Sequence, residues 1–393
     1  MVISNVNALI ENEYYIEYRK SQYKKGECDM EDVKYISQIG DYTGDTQLHF
    51  EKNETLCDTM LNPLACFSVQ NGKWIRQEVP GNIRRLHIGS NPYKSEFQVN
   101  HPEADEIHCI IQKAGTSWFI MESGKEDIMM VNGFPKRQIQ LRQNQSGVVH
   151  LGNKNFVFST QKIVPRIPEN EVYANSSDLG ETQYCVSYGE KSKIFNLDKL
   201  CLIGADPLCD FYLPGEPFYA MIAHYGKRLF LRSLVEDDHI PVEVGVESAY
   251  DNSVTLKPGS CINIGGVELK FKVSKDLRFT QNFNFVPDPK SGNLRLLEID
   301  YQGNPGHSFV LPSTGHSITI GRDSEQCSLS IAVSPKISRV HAQAIVYDKA
   351  LMLIDNSATN GTFVNNTRVK RRMVHPGDIL RLGNANFILC FAG

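Results

Sequence analysis

The sequence predicts an all-β protein in which three β-sandwich domains follow a polar N-terminal extension. Short runs rich in Val, Ile, Leu, Phe and Tyr alternate with Gly, Asn and Pro, a pattern typical of strands joined by turns. No sustained 3.6-residue periodicity appears beyond the first sixty residues, which disfavours helices. A pattern of glycines recurs three times, which indicates a repeated domain.

The repeat is defined by two glycine steps in each copy. Every copy begins with an Ile-Gly pair and ends with an apolar-Gly pair before a last strand-like run. The two glycines of each copy are Gly89 and Gly152, Gly204 and Gly265, and Gly321 and Gly383, which lie 63, 61 and 62 residues apart. Successive copies start 115 and 117 residues apart. Such regular spacing predicts three copies of one domain.

The repeat and the composition between copies predict the domain boundaries. The N-terminal extension covers residues 1–58, and the sequence leaves open whether it is partly helical or disordered. The copies span residues 59–162, 181–274 and 294–393. Two linkers rich in Pro, Asn and Ser, residues 163–180 and 275–293, separate them. A chain of 393 residues is long enough for such a set of domains.

Composition predicts an intracellular protein, cytoplasmic or nuclear. The ten cysteines are scattered without a CxxC pair, which favours reduced thiols and predicts no metal site. The chain has no apolar stretch that could span a bilayer, and its opening residues do not resemble a signal peptide. The net charge of −4 favours no particular partner.

The third copy contains four short motifs in a fixed order. They are Gly321-Arg322, Ser338-Arg339-Val340-His341, Thr359-Asn360-Gly361-Thr362-Phe363-Val364-Asn365 and Pro376-Gly377-Asp378. This order and spacing resemble the forkhead-associated (FHA) family over residues 294–393. The resemblance implies a β-sandwich that binds phosphothreonine in a partner protein, without a cofactor. It also implies that the two earlier copies are degenerate FHA-like domains.

The residue types of the motifs suit phosphate recognition. A phosphorylated threonine carries a charge of about −1.5 to −2 and three acceptor oxygens. Arg322 offers a planar fork of donors, and Ser338 and Thr359 offer hydroxyl donors. Arg339 either adds a second positive charge at the phosphate or faces solvent, and the sequence does not decide between these two roles.

The remaining motif residues have roles that the resemblance implies. Asn360 is expected to hold the backbone of the bound peptide. Gly321, His341 and Gly361 are expected to support the loops. Lys336 lies two residues before the motif serine. In the family this position can face the third residue after the phosphothreonine, so Lys336 would favour an acidic residue there.

Other interpretations of the third copy are weaker. Ser338 and His341 could be mistaken for a nucleophile and its base, but no acid is placed to orient the histidine. The chain also lacks the common catalytic motifs, so we expect neither an enzyme nor a small-molecule substrate. The basic run Lys370-Arg371-Arg372 is interpreted as an exposed hairpin face rather than a nucleic-acid patch.

The first two copies have lost the binding signature. In the first copy Ser90 follows the glycine, Asp105 takes the serine position and Glu126-Asp127-Ile128 replaces the turn motif, although His108 remains. In the second copy the corresponding residues are Ala205, Glu216 and Tyr219, with Asp237-Asp238 near the missing turn. Because carboxylates repel a phosphate dianion, we expect neither copy to bind phosphopeptide. They would act as structural spacers or bind a basic partner.

The sequence therefore predicts a non-enzymatic, phosphothreonine-dependent adaptor that acts through its third copy. The alternative is a structural subunit of a large assembly, in which the copies are packing modules independent of phosphorylation. Self-association is a further hypothesis, because Thr55 and Asp58 form a Thr-x-x-Asp pattern that the third copy could bind after phosphorylation.

Overall fold

The structure is a computed structural model that describes ten segments of the chain. They are residues 63–80, 83–99, 104–123, 129–152, 154–166, 171–225, 228–250, 252–274, 293–300 and 305–392. Within these segments the regular secondary structure consists of β-strands, and no helix long and apolar enough to cross a bilayer occurs there. The strands fall into three units of eleven, so the predicted all-β fold with tandem sandwiches is confirmed.

The first unit contains strands β1 to β11. They are β1 (Leu64–Gln70), β2 (Lys73–Val79), β3 (Arg85–Gly89), β4 (Phe97–Gln98), β5 (Cys109–Ala114), β6 (Ser117–Glu122), β7 (Met129–Val131), β8 (Phe134–Pro135), β9 (Gln138–Leu141), β10 (Ser146–Leu151) and β11 (Lys154–Ser159). They form two sheets, with strand orders β2-β1-β11-β10-β7-β8 and β4-β3-β5-β6-β9.

The second unit contains strands β12 to β22. They are β12 (Gln183–Tyr188), β13 (Lys191–Asn196), β14 (Cys201–Gly204), β15 (Phe211–Tyr212), β16 (Ala220–Tyr225), β17 (Arg228–Ser233), β18 (Val242–Val244), β19 (Glu247–Ser248), β20 (Val254–Leu256), β21 (Cys261–Ile264) and β22 (Val267–Val273). The sheet orders are β13-β12-β22-β21-β18-β19 and β15-β14-β16-β17-β20.

The third unit contains strands β23 to β33. They are β23 (Leu294–Ile299), β24 (Pro305–Val310), β25 (Ser317–Gly321), β26 (Leu329–Ser330), β27 (Ala342–Val346), β28 (Leu351–Asp355), β29 (Thr362–Val364), β30 (Thr367–Arg368), β31 (Arg371–Val374), β32 (Ile379–Leu382) and β33 (Ala385–Phe391). The sheet orders, β24-β23-β33-β32-β29-β30 and β26-β25-β27-β28-β31, repeat those of the other units strand by strand. The repeat in the sequence is therefore a repeat of one topology.

Tight turns set the register of the hairpins. Asn71 and Gly72 join β1 to β2 with φ of 50° and 73°, and Asn365 and Asn366 join β29 to β30 with φ of 48° and 65°. Two consecutive positive φ angles match the twist of paired strands, and Asn and Gly tolerate them best. In strands such as β22 and β27, alternation then places every second residue in the core of its own sandwich.

The three units pack against one another, with the first unit in the middle. One face of the first unit contacts the third unit through Ala114, Phe119, Met121, Leu297, Ile299, Ile379, Ile388 and Cys390. The other face contacts the second unit through Ala65, Phe67, Val148, Val157, Leu202, Leu208, Cys209, Phe218, Met221 and Leu234. The six sheets thus form one layered row.

This packing explains why some strands are apolar on both faces. All six residues of β5, and all six of β6, are buried because one face meets the core of the first unit and the other meets the third unit. Strand β22 lies in an outer sheet and alternates between buried and exposed residues. Continuous apolar runs are typical of sheets covered on both sides. Such runs indicate in the sequence that a sheet is covered on both sides, but not which neighbour covers it.

The structure describes most of the first predicted linker, but only the last residue of the second linker and none of the extension. Residues 1–58, and with them Thr55 and Asp58, lie outside the described residues, as does almost all of the linker 275–293. The described part of linker 163–180 runs along the second unit, where the amide of Ala174 donates to the carbonyl of Ser192 over 2.8 Å. Glu171 in this linker pairs with Arg166 and Lys193. The eight cysteines in the described part of the chain are free thiols.

Candidate functional site

The predicted site residues lie in loops at one end of the third unit. Gly321 ends β25 and is buried because a neighbouring backbone passes very close to it. A Cβ atom at this position would lie 2.0 Å from the carbonyl oxygen of Arg339. Only glycine allows this approach, which joins the loop after β25 to the loop before β27.

Backbone hydrogen bonds fix the positions of both arginines. The amide of Arg322 donates to the carbonyl of Ser338 over 3.1 Å, and the amide of Asp323 donates to the carbonyl of Arg339 over 3.2 Å. The carboxylate of Asp323 accepts from the amides of Glu325 and of the next residue, which closes the first loop. Arg322 and Ser338 are therefore neighbours, although sixteen positions separate them in the sequence.

His341 is fully buried beneath these loops and braces them. Its Nδ1 accepts the amide hydrogen of Ser338 over 3.0 Å, and its Nε2 lies 3.1 Å from the carbonyl oxygen of Gly361. This geometry requires the neutral ring with its hydrogen on Nε2. Burial lowers the pKa of His341, which favours the same form.

The third loop is tied to the second through Asn360. Its side-chain Nδ2 donates to the carbonyl of Lys336 over 2.8 Å. Gly361 follows with φ of 75°, a conformation that favours glycine, and its amide donates to Ala358 over 2.9 Å. The structure thus brings together loops that carry every predicted site residue.

The side chains at this end carry positive charge that the protein does not neutralise. Arg322, Lys336, Arg339 and Thr359 are exposed, and Ser338 is half-buried. Within the described residues, the three cations form no salt bridge. An anion that binds here would therefore not have to displace an internal carboxylate.

Three acidic residues of the third unit are engaged in contacts within the protein. Asp348 pairs with Arg137 of the first unit over 3.2 Å, and Asp378 lies 3.4 Å from Arg85 of the same unit. Asp355 accepts a hydrogen bond from the hydroxyl of Thr362. These carboxylates are therefore satisfied by contacts other than the cations at the loop end.

The first unit repeats the backbone of this end without its side chains. The amide of Ser90 donates to the carbonyl of Asp105 over 2.9 Å, and His108 Nδ1 lies 3.4 Å from the amide nitrogen of Asp105. A Cβ atom on Gly89 would meet the carbonyl of Glu106 at 2.2 Å. The carboxylate of Glu106 binds Lys94, whose hydrogen bond lowers the pKa of Glu106. The predicted replacement turn, residues 126–128, lies outside the described residues.

The second unit also keeps the backbone, but its loop end is partly covered. The amide of Ala205 donates to the carbonyl of Glu216 over 2.9 Å, and Tyr219 occupies the place of the histidine. Leu208 and Cys209, in the loop after β14, pack against the first unit. Asp237 and Asp238 lie exposed beside His239.

Three side chains next to this site are not among the site residues predicted from the sequence. Arg368, Phe363 and Arg381 lie opposite one another on β30, β29 and β32. The Arg381 guanidinium carbon is 3.5 Å from the centroid of the Phe363 ring. The pairing of strands that are distant in sequence creates this row, and only the alternation of Phe363 with buried neighbours could have indicated it.

Comparisons with known proteins find one family model and several solved structures that are similar to part of this chain. Residues 318–383 match the family model described as FHA domain. No curated protein matches the chain. Among solved structures, the FHA domain of CT664 protein from Chlamydia trachomatis is 22% identical, with a TM-score of 0.23, and the match covers 26% of this chain and 99% of that one.

Two other solved structures are similar over a comparable share of the chain. One, described as a structural and functional analysis of phosphothreonine-dependent FHA domain interactions, is 27% identical over 26% of this chain and 98% of that one, with a TM-score of 0.22. The other is the N-terminal FHA domain of S. cerevisiae RAD53P in complex with a phosphothreonine peptide. It is 18% identical over 25% of this chain and 94% of that one, with a TM-score of 0.22. The family match and the shared topology show that this chain carries an FHA domain in its third unit, after two FHA-like copies.

Proposed function

We propose that this protein is a phosphothreonine-dependent adaptor whose third unit binds a phosphorylated segment of a partner protein. One observation carries the proposal: Arg322, Ser338 and Asn360 lie in three hydrogen-bonded loops at one end of a sandwich, where the cations form no salt bridge among the described residues. Such an end suits a dianion with several acceptor oxygens.

The roles of the residues follow from their chemistry. Arg322 binds the phosphate through its planar donor fork, and the hydroxyls of Ser338 and Thr359 donate to the remaining oxygens. Arg339 adds positive charge from the same loop as Ser338. Asn360 keeps one N–H and its carbonyl oxygen free after bonding to Lys336, and it uses them to hold the backbone of the peptide.

The first two units act as a scaffold that holds the third. Apolar clusters and charged pairs join the first unit to the third, and Lys349 of the third unit pairs with the buried Glu122 of the first. This packing also favours the second candidate function, a structural subunit of a larger assembly. The two candidates differ in whether the loop end of the third unit binds phosphopeptide. The free cysteines support a reducing, intracellular environment for either function.

The decisive experiment measures phosphothreonine-peptide affinity for the intact chain and for Arg322→Ala. Losing the main phosphate donor is expected to weaken binding by about 30-fold or more. Arg371→Ala removes an exposed cation from β31 and serves as the matched control, with a change of less than about twofold.

Two further measurements check the same site. Binding should weaken with added salt, and it should weaken as the pH falls through about 6, where the phosphate loses its second charge. Equal affinity for phosphorylated and unphosphorylated peptides, or equal affinity of the wild type and Arg322→Ala, would favour the structural-subunit function instead.

A further inference from the structure

Two arginines and a phenylalanine lie in a row across one sheet of the third unit, with the phenylalanine in the middle. Phe363 on β29 lies directly opposite Arg368 on β30 and directly opposite Arg381 on β32. Residues that face one another across paired strands point to the same side of the sheet. The Arg381 guanidinium lies over the ring of Phe363 at 3.5 Å, a stacking that holds its planar donors in place. We call these three residues the arginine row.

The arginine row is continuous with the loops of the proposed phosphate site. A Cβ atom on Gly361 would lie 2.9 Å from Nε of Arg368, so this guanidinium lies beside the loop that carries Asn360. Nη1 of Arg381 donates to the carbonyl of Gly383 over 3.1 Å, and the amide of Gly383 lies 3.3 Å from the carbonyl oxygen of Gly361. Both arginines are therefore held against the turns that border the site.

The arginine row has no counter-ion of its own. Within the described residues, neither Arg368 nor Arg381 forms a salt bridge, and the Arg381 side chain donates its hydrogen bond to a backbone carbonyl. Burial lowers the pKa of Arg381, because a partly desolvated cation without a carboxylate is disfavoured. A ligand carboxylate or phosphate would relieve that cost. Arg368 is exposed and its remaining donors are accessible.

We propose that the arginine row is a second anion-binding element that selects phosphopeptides with an additional acidic or phosphorylated side chain near the phosphothreonine. This inference rests on the proposed function, since the row is reached by a peptide already held at the loop end. The two arginines lie on either side of Phe363 in the sheet, which places them within reach of one anionic side chain of a bound peptide. A second phosphate suits this arrangement better than a carboxylate, because it offers more charge and more acceptors.

The test uses the intact chain and a phosphothreonine peptide with neutral flanking residues. Glutamate, and in a second series phosphoserine, replaces in turn each flanking residue except the third after the phosphothreonine, where Lys336 is expected to favour an acidic residue. At one position we expect glutamate to strengthen binding about threefold and phosphoserine about tenfold. The quantity compared between variants is the ratio of the affinity for the acidic peptide to that for the neutral peptide. This ratio should fall to about one in the double variant Arg368→Gln, Arg381→Gln.

Matched variants separate the arginine row from general charge effects. Arg371→Gln removes one cation from the other sheet and should leave the affinity ratio at its wild-type value. Thermal melting verifies that each variant is folded.

A flat scan, or an affinity ratio that survives in the double variant, overturns the inference. A gain that disappears in Lys336→Gln but survives in the double variant assigns the preference to Lys336 and also overturns it. If the neutral peptide binds normally and the scan is flat, the inference alone fails. If no phosphothreonine peptide binds, both the inference and the proposed function fail.

Discussion

The loop ends of the third and first units share a backbone and differ in their side chains. In both units, the residue after a buried glycine donates its amide to the carbonyl of the residue at the position of the motif serine. This hydrogen bond is 3.1 Å long for Arg322 and 2.9 Å long for Ser90. In both, a buried histidine lies under that same residue, as His341 does beneath Ser338. The first unit has kept the groups that hold its loops and lacks the groups proposed to hold a phosphate. Maintaining the fold and maintaining the proposed ligand site therefore depend on different residues.

The first and third units also differ in how far their sheets are buried. Both sheets of the first unit are covered by neighbours, whereas the sheet of the third unit that contains β25 and β27 shows exposed positions along its strands. The first unit is the core of the assembly, and the third offers a free loop end. The following predictions test this division.

The glycine substitutions should have the largest effect on stability, and the effect should be equal in the two units. A Cβ atom at Gly89 or Gly321 meets a carbonyl oxygen at 2.2 or 2.0 Å, so the backbone must move. Gly89→Ala and Gly321→Ala should each lower the free energy of unfolding by about 3 kcal/mol or more. Chemical denaturation monitored by fluorescence measures this change.

Two other glycines serve as controls for the same measurement. Gly72 in the first unit and Gly315 in the third have positive φ but open space around them, so alanine should cost only about 1–2 kcal/mol. If all four variants lost the same stability, the close approach at the loop ends would not matter to the fold.

Acid should destabilise the contact between the first and second units. His150 is buried, and burial, followed by the charge of Arg232, lowers its pKa to about 3. A depressed pKa contributes stability that is present above the unfolded value of about 6.5 and is lost as the pH falls towards 3. At pH 4.5 the loss should be about 2–3 kcal/mol relative to neutral pH, and His150→Gln should abolish this part of the pH dependence.

The exposed His239 is the control for the acid prediction. Its pKa is raised by the hydrogen bond that it donates to the carboxylate of Asp237 and by the negative charges of Asp238 and Asp237, so its contribution has the opposite sign and is lost as the pH rises. His239→Gln should leave the acid destabilisation intact. Denaturation curves between pH 4.5 and 7 for both variants decide the point, and identical slopes for the wild type and His150→Gln would contradict it.

Removing the charge contact between the first and third units should have a moderate effect. Arg85→Met leaves Asp378 buried, but Asp378 keeps hydrogen bonds from Asn365 and from the amide of His375. The expected loss is therefore about 1–2 kcal/mol of unfolding free energy. Arg76→Met, which removes an exposed pair with a neighbouring glutamate, should cost less than about 0.5 kcal/mol. Equal losses would indicate that burial of the first pair has no energetic consequence.

The smallest expected effect concerns Lys336 and peptide preference. An exposed lysine and an acidic peptide residue form a screened pair, so Lys336→Gln should weaken binding only about twofold. The loss should be confined to peptides with an acidic residue at the third position after the phosphothreonine. Isothermal titration with acidic and neutral peptides measures it, and an equal loss for both peptides would contradict this role.

The sequence by itself determined the repeated topology. Turn residues and alternating apolar positions act locally, and the glycines mark approaches so close that no other residue fits, as at Gly321. For the same reason the motif residues could be assigned to one loop end before their distances were known.

Only the tertiary structure decided how the units sit together and what surrounds the site. The covered faces of β5 and β6, the pairing of Asp348 with Arg137 and the arginine row depend on strands and units distant in sequence. An apolar or charged side chain does not reveal in the sequence which surface it will meet. Long-range packing determines that partner, and with it which charges remain available for a ligand.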